Sequence, residues 1–325
     1  MRVFVTGAAS PLGRQLVAAL IKRRCTVRGL VRRTSGVTQM RNLGAIPVVG
    51  DVRNFTQIRE AVDGCDLVFH LASFFDFWAP RRADFEAVNV GGTKNIVAAA
   101  IVAGVRRVIH CGSAVTIGAA DGEIGDEFTP HRGHTETEVE RSQLEAERLA
   151  RRMSENGVEV VVVNTGLIVA PGDPGWTGRL ISRTIRGEPL VASHAKLSWV
   201  WVGDAVEGLM RAAVKRDSSE RYILSGDMLS SYEVLSQVAQ HAKRKAPRAV
   251  PRSLALTEAA VATAIAVPLG RRPRLALDEA RFLTSGFRVD GTHATNELKF
   301  QYTPASQYLS TVARAYQSAL TRFTQ

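Results

Sequence analysis

Met1-Arg2-Val3-Phe4-Val5-Thr6-Gly7-Ala8-Ala9-Ser10-Pro11-Leu12-Gly13 decides the fold. Val3-Phe4-Val5 reads as a short apolar strand, Thr6 to Gly13 as a glycine turn, and Arg14 to about Lys22 as an apolar helix. Strand, turn and helix start together build a dinucleotide site. Gly7 allows the tight turn, and the small Ala8 and Ala9 let backbone N–H groups approach a pyrophosphate. Gly13 lets the helix lie close to the strand, and the helix N-terminus attracts the anion. The spacing is G-x-x-G-x-x-G, with Ser10 in place of the middle glycine. Its position after a strand and before a helix gives the motif its specificity. Thr6, Gly7, Ala9, Ser10, Pro11, Leu12 and Gly13 are therefore expected to hold a cofactor.

Outward from this unit the chain alternates strand and helix. Thr26–Val31, Ile46–Val49, Leu67–Leu71, Val108–Cys111 and Val158–Val163 read as further strands. Apolar runs such as Val160-Val161-Val162-Val163 suit strands buried on both faces of a parallel sheet. The expected fold is α/β: a doubly wound parallel sheet with a smaller C-terminal substrate lobe. Residues 1–170 form the dinucleotide domain and 171–325 mainly the substrate lobe, with segments near 199–225 returning to the sheet. The lobe's helices are expected around Gly178–Arg186, Tyr232–Lys243 and Thr303–Arg322.

The chain has 325 residues, 45% of them apolar, and a net charge of +11. That charge favours an anionic partner, but the basic residues are spread as pairs and no nucleic-acid motif accompanies them. No run of ~20 apolar residues marks a membrane span, and no leader marks secretion. Cys25, Cys65 and Cys111 match no metal spacing, so no metal is expected, and their odd number suits a reducing cytoplasm.

The second strand bears on the choice of dinucleotide. An acidic residue at its end would bind the ribose of NAD. Here the chain reads Leu30-Val31-Arg32-Arg33-Thr34-Ser35. Arginines at this point pair with a 2′-phosphate, so NADP(H) is expected over NAD(H).

These residues resemble an extended short-chain dehydrogenase/reductase of the NAD-dependent epimerase/dehydratase type. The likeness runs through Thr6–Gly13, Gly50-Asp51-Val52, His70-Leu71-Ala72, Asn89 to Asn95, Ser113 to Gly118, Trp201 to Ala205 and the tail Thr295 to Phe300. Phe74–Pro80 and the late basic segment are most similar to hopanoid-associated sugar epimerase-like, dihydroflavonol reductase-like and 3β-hydroxysteroid dehydrogenase-like members. The resemblance implies Asp51 and Val52 near the adenine, Leu71, Ala72 and Ser73 beside the cofactor, and Asn89 as a sheet-organising residue. It also implies a homodimer through helices at Asp84–Ala103 and Glu136–Asn156.

The family's redox chemistry needs a Tyr-x-x-x-Lys pair on one helix face, where the ammonium lowers the phenol pKa. Ser113 matches the substrate-orienting hydroxyl. Aligned on Ser142, Ala146 and Glu147, the helix puts Val139 at the tyrosine position and Gln143 at the lysine position. A shifted register does not recover the pair: the first of the five tyrosines is Tyr222, and no lysine lies between Lys94 and Lys196. Valine donates no proton, whereas glutamine still hydrogen-bonds a ribose hydroxyl. Three readings stay open. The chain is an atypical enzyme using another acid/base drawn from His131, His134, Glu136 or Glu138, a non-catalytic NADP(H)-binding sensor or scaffold, or a cyclase, isomerase or lyase in the same pocket.

Phe74-Phe75-Asp76-Phe77-Trp78 places four aromatics where the resemblance sets the substrate cleft, with Ser113 and Thr165 nearby. They suit a hydrophobic small molecule, and equally suit packing between the two lobes. Leu254–Leu269 is apolar and precedes Arg271-Arg272-Pro273-Arg274. This reads either as a lid or core helix, or as a peripheral contact with an anionic bilayer.

Overall fold

The computed structural model describes all residues except 121, 156, 217–220 and 324–325, and omits the side chains of 319–323. Asn156, the expected end of one dimer helix, therefore lies outside the described residues. In chain order the strands are β1 Arg2–Thr6, β2 Thr26–Val31, β3 Ile46–Val49, β4 Leu67–His70, β5 Arg107–Ser113 and β6 Glu159–Thr165. There follow β7 Leu167–Val169, β8 Val191–Ala192, β9 Lys196–Trp201, β10 Arg221–Leu224, β11 Asp227–Ser230 and β12 Arg248–Ala249.

Seven of them form one parallel sheet in the order β3-β2-β1-β4-β5-β6-β10. β5 and β6 run two residues beyond the apolar cores that sequence suggests. Pairing of Gly112 with Asn164 and of Ser113 with Thr165 carries both strands to the cleft. Only β10 of the 199–225 region joins this sheet. β9 instead lies between β7 and antiparallel β11 in a separate three-stranded sheet.

The sheet is covered on both faces. Helices Pro11–Lys22 and Val202–Val214 bury Leu16, Leu20 and Leu209 against Val5, Phe69 and Val163. Helices Phe55–Val62, Gly92–Val102 and Glu138–Ser154 bury Ile58, Ile96 and Ala150 against Phe4, Val68 and Val160. A third cluster, with Trp176, Trp199, Leu235, Leu283 and Leu309, holds the C-terminal lobe. β2 and β4 flank β1 on opposite sides, so the strand order reverses at β1. The crevice outside its carboxyl end is the place such sheets bind ligands.

Candidate functional site

Construction starts at the first turn. Gly7 takes a left-handed conformation, φ +63°, and a Cβ there would sit 3.0 Å from the Ala72 nitrogen. Ser10 is extended and caps helix Pro11–Lys22, its Oγ accepting the Gly13 N–H at 3.0 Å. A serine in the middle glycine's place therefore supplies the helix cap. Pro11 sits at the first helical position, where its missing N–H costs nothing. With Pro11 lacking an N–H and Gly13 bonded to Ser10, the Leu12 N–H is the first-turn amide left without a carbonyl, and Ser10, Pro11 and Leu12 border a cleft of ≈ 250 Å³.

Thr6 fixes the opposite wall. Its Oγ accepts the N–H groups of Leu71 at 3.1 Å and Ala72 at 3.0 Å. That leaves its proton for His70 Nδ1 at 2.8 Å, so His70 carries its own proton on Nε2 and donates to Thr93 Oγ at 3.0 Å. Burial, and then the neighbouring His110, hold His70 neutral, well below the ordinary histidine range.

Asn89 does not organise the sheet as expected. It sits in a π-helical turn, Ala87–Gly91, interrupting the helix that leads into Gly92–Val102. From there its amide bonds the loop after β4, accepting Phe74 N–H at 2.7 Å and donating to Phe74 O at 3.2 Å. It also donates to Ser142 Oγ at 2.9 Å. Loop and helix Glu138–Ser154 are thereby locked together, and Gln143 Nε2 donates to Ser73 Oγ across the same junction.

Among the expected site residues, Ser10, Pro11, Leu12, Leu71, Ser73, Phe75, Ser113, Gln143 and Thr165 line this one cleft. Ser113 also accepts the Val115 N–H at 3.5 Å, capping the short turn Ala114–Ile117. Val139 is 1% exposed and belongs to the apolar cluster of Phe77, Phe85, Val115 and Trp176. Arg32 and Arg33 are exposed at the end of β2. Asp51 is held below the usual carboxylate range by hydrogen bonds from the Arg53 side chain, at 2.9 and 2.8 Å. Val52 is buried under Gly92, and its carbonyl accepts from Asn95 at 2.9 Å.

The aromatic loop divides its work. Phe75 borders the cleft, whereas Phe77 packs against Trp176 and Phe282, and Phe74 edge-on against Phe85. Asp76 accepts from Arg179 at 2.7 Å and from Arg272 at 2.9 and 2.5 Å, and Arg272 lies over Trp78. Of the four aromatics expected in a substrate pocket, Phe75 borders the cleft, Phe77 and Trp78 contact the C-terminal lobe through Trp176, Phe282 and Arg272, and Phe74 packs on Phe85.

The proposed replacement acids do not converge on the cleft. His134 is exposed, and Glu138 pairs outward with Arg82 and Arg141. His131 rests against Gly118, its Nδ1 accepting Gly133 N–H at 3.0 Å. Glu136 borders a second cavity of ≈ 270 Å³ beside Arg132 and Phe287. That cavity also holds Glu140, which the sequence reading passed over. Burial raises its pKa, while its carboxylate accepts from Arg132 at 2.5 Å and from Glu136 N–H at 2.9 Å. The spacing Thr137-x-x-Glu140, with Thr137 capping Glu140 N–H at 3.2 Å, is a capping-box signature and marks it in the sequence. Asp173 was missed as well. It lines the first cleft, is raised by burial, and accepts Gly175 and Gly178 N–H at 2.8 and 3.2 Å. Its signal is Asp173-Pro174-Gly175, an Asx turn ahead of helix Trp176–Arg186.

The polar side chains of the first cleft are thus hydroxyls, one carboxamide, one carboxyl, the Cys111 thiol and the Trp176 indole. They bind and orient, and they offer neither phenol nor ammonium. Residues 3–224 match the model of the NAD dependent epimerase/dehydratase family. The sterol demethylase protein B of Methylococcus capsulatus is 30% identical, over 92% of this chain and 93% of that protein. A 4-hydroxy-2-methyl-3-oxo-4-farnesyl-3,4-dihydroquinoline-1-oxide ketoreductase of Stigmatella aurantiaca is 31% identical, over 69% of this chain and 68% of its own. The crystal structure of gox2253 superposes with a TM-score of 0.82 at 28% identity, covering 98% of both chains. Glycine turn, parallel sheet and family match agree, and the chain belongs to the NAD-dependent epimerase/dehydratase family of extended short-chain dehydrogenases/reductases.

Proposed function

We propose that the chain binds NADP(H) in preference to NAD(H), accepts a hydrophobic small molecule beside it, and works without the family's tyrosine–lysine pair. The observation that carries this reading is the state of the two positions. Val139 is packed into an apolar cluster, while Gln143 keeps a hydrogen-bonding amide at the cleft. A nicotinamide dinucleotide supplies hydride when bound. The residues present fit it: a left-handed Gly7, a capped helix start that leaves the Leu12 amide available, and a cleft between Ser10 and Thr165. In this chain Gln143 and Ser73 orient a ribose, Ser113 holds a substrate oxygen, and Phe75, Leu71 and Trp176 exclude water. Any proton transfer falls to a group other than residue 139, so the chemistry is altered or non-redox. The related sterol and farnesyl-quinoline proteins support an apolar ligand. The three unpaired cysteines support a reducing, cytoplasmic setting.

Arg32 and Arg33 are the test of cofactor choice. Replacing both by serine removes two charge-assisted bonds to a 2′-phosphate, worth about 1 kcal/mol each at this solvent-screened site. Calorimetry is expected to show NADPH binding weakened by roughly 10- to 100-fold with NADH unchanged. Equal loss for both nucleotides would remove the assignment.

A second reading, a non-catalytic NADP(H) sensor, is favoured by the same cleft, which keeps its nucleotide-side groups while both acid/base groups are gone. Ser113→Ala separates the two. A fall in turnover of about 10-fold or more in product assays supports an enzyme, while unchanged ligand-dependent behaviour supports a sensor.

A further inference from the structure

Helix Arg252–Ala266, continued by the turn Val267–Leu269, is amphipathic in the wrong direction for a soluble protein. Its protein-facing side is small: Ala255 and Ala259 are fully buried. Its large apolar side chains face solvent, with Leu254 55%, Val261 55%, Ile265 64% and Leu269 64% exposed. At 3.6 residues per turn, Leu254, Val261 and Ile265 fall on one stripe. A lid or core helix would bury that stripe. Although no spanning segment was expected from sequence, the 18 residues Arg252–Leu269 are apolar and long enough to cross a membrane by length and composition. The buried alanines and the packing on helix Leu277–Ser285 keep the helix lying along the protein instead.

We infer that this face docks on an anionic lipid bilayer, with the helix lying in the plane of the interface. The charge around it selects that occupant. Arg252 starts the helix, and Arg271 and Arg274 follow it. Arg248 and Arg274 share a groove of ≈ 180 Å³ with Glu258, and Lys243, Arg244 and Lys245 continue the basic rim. All seven basic residues are exposed. A two-fold pairing of this face with a second copy would bring two such rims together with only Glu258 to offset them on the stripe. Anionic headgroups neutralise the rim while the stripe enters the acyl boundary.

The docked helix is tied to the cleft. Leu269 and Arg272 are three residues apart, at most about 11 Å of chain. Arg272 is bonded to Asp76 of the aromatic loop, whose neighbour Phe75 lines the cleft. The docked face therefore lies close in the chain to the loop that borders the cleft. The docking surface stands apart from the nucleotide reading, because none of Leu254, Val261, Ile265 or Leu269 lines the cleft.

The test is co-sedimentation of the full-length protein with vesicles of equimolar phosphatidylcholine and phosphatidylglycerol, and with phosphatidylcholine alone. Binding to the anionic vesicles is expected, weakening with salt. The triple variant Leu254→Ser, Val261→Ser, Ile265→Ser should lower it at least about tenfold, and Arg271→Glu with Arg274→Glu should lower it as well. These side chains are exposed, so both variants keep the wild-type circular dichroism and NADPH affinity. Absence of binding to anionic vesicles overturns the inference. So does binding that the triple variant leaves intact, or a dimer that the triple variant converts to monomer in size-exclusion light scattering.

Discussion

Gly13→Ala is expected to destabilise the protein and to weaken NADPH binding by roughly 100-fold, although a glycine-to-alanine change within a helix normally stabilises by about 0.5–1 kcal/mol. The sign reverses because of where the new carbon would lie. A Cβ on Gly13 would be 2.2 Å from the Gly7 carbonyl oxygen and 2.7 Å from Ala8 Cα. Both are backbone atoms, so no side chain can swing aside. The first contact is more than an ångström short of the usual separation of about 3.5 Å, so the helix must move off β1. That displacement carries the Ser10 cap and the first-turn amides away from the phosphate position. Overpacking of this kind costs about 1–3 kcal/mol. Gly91→Ala is the control: its nearest obstacle is Glu86 O at 3.9 Å, and it should stabilise by up to about 1 kcal/mol. Thermal melts and NADPH titrations of both variants decide the matter. A Gly13→Ala protein as stable as wild type would mean that helix and strand are not in contact there.

The second large effect is acid instability below neutral pH. His70 and His110 are fully buried on adjacent strands, with ring centroids 5.5 Å apart. Burial lowers the His110 pKa to about 4, against the opposing pull of Glu147, and puts His70 well below the ordinary range. Both groups therefore titrate at lower pH when folded than when unfolded. Between pH 6.5 and about 4 the unfolded chain binds protons that the folded chain refuses. Stability from both is present above pH 6.5 and is lost as pH falls through this window, for His110 at up to about 1.4 kcal/mol per pH unit, with His70 acting in the same direction. From pH 7 to pH 4.5 the His110 shift alone removes roughly 2.5 kcal/mol, a large share of a typical 5–15 kcal/mol.

Glu147 adds to acid loss only at lower pH. Burial pushes its pKa up, but Arg221, Asn164 and Thr116 outweigh that and hold it below the usual value of 4.5. The raised Glu127 and Glu140 act in the opposite sense. His110→Phe isolates the histidine term. Neither His110 nitrogen has a hydrogen-bond partner, so the change breaks no bond. Urea melts from pH 7 to pH 4.5 should show a shallower loss of stability in this variant than in wild type, by roughly 2.5 kcal/mol over the range. An unchanged slope would place the acid sensitivity elsewhere.

The fold was legible wherever one residue's chemistry sufficed. Val160 to Val163 are apolar on both faces because helices cover both, and a single sequence shows that run directly. Gly7 and Gly13 announce backbone demands that only glycine meets. That no tyrosine precedes Tyr222 and no lysine lies between Lys94 and Lys196 is read from the sequence directly. Features set by distant partners were not legible. The aromatics at 74–78 suit a pocket and inter-lobe packing equally in sequence, because nothing local reveals that Arg179 and Arg272 anchor Asp76 from the other lobe. The resemblance implies a sheet-organising Asn89, and the π-helical turn that aims it at Phe74 and Ser142 instead has no sequence signature. Glu140 and Asp173 each carried a capping or turn signal, but their burial comes from tertiary packing.

Calorimetric titration of the purified wild-type protein with NADPH and, in parallel, NADH decides whether the cleft is a dinucleotide site. The account predicts micromolar NADPH binding and at least about tenfold weaker NADH binding, since the glycine turn, Gln143 and the paired arginines remain in place. Failure to bind either nucleotide would contradict it.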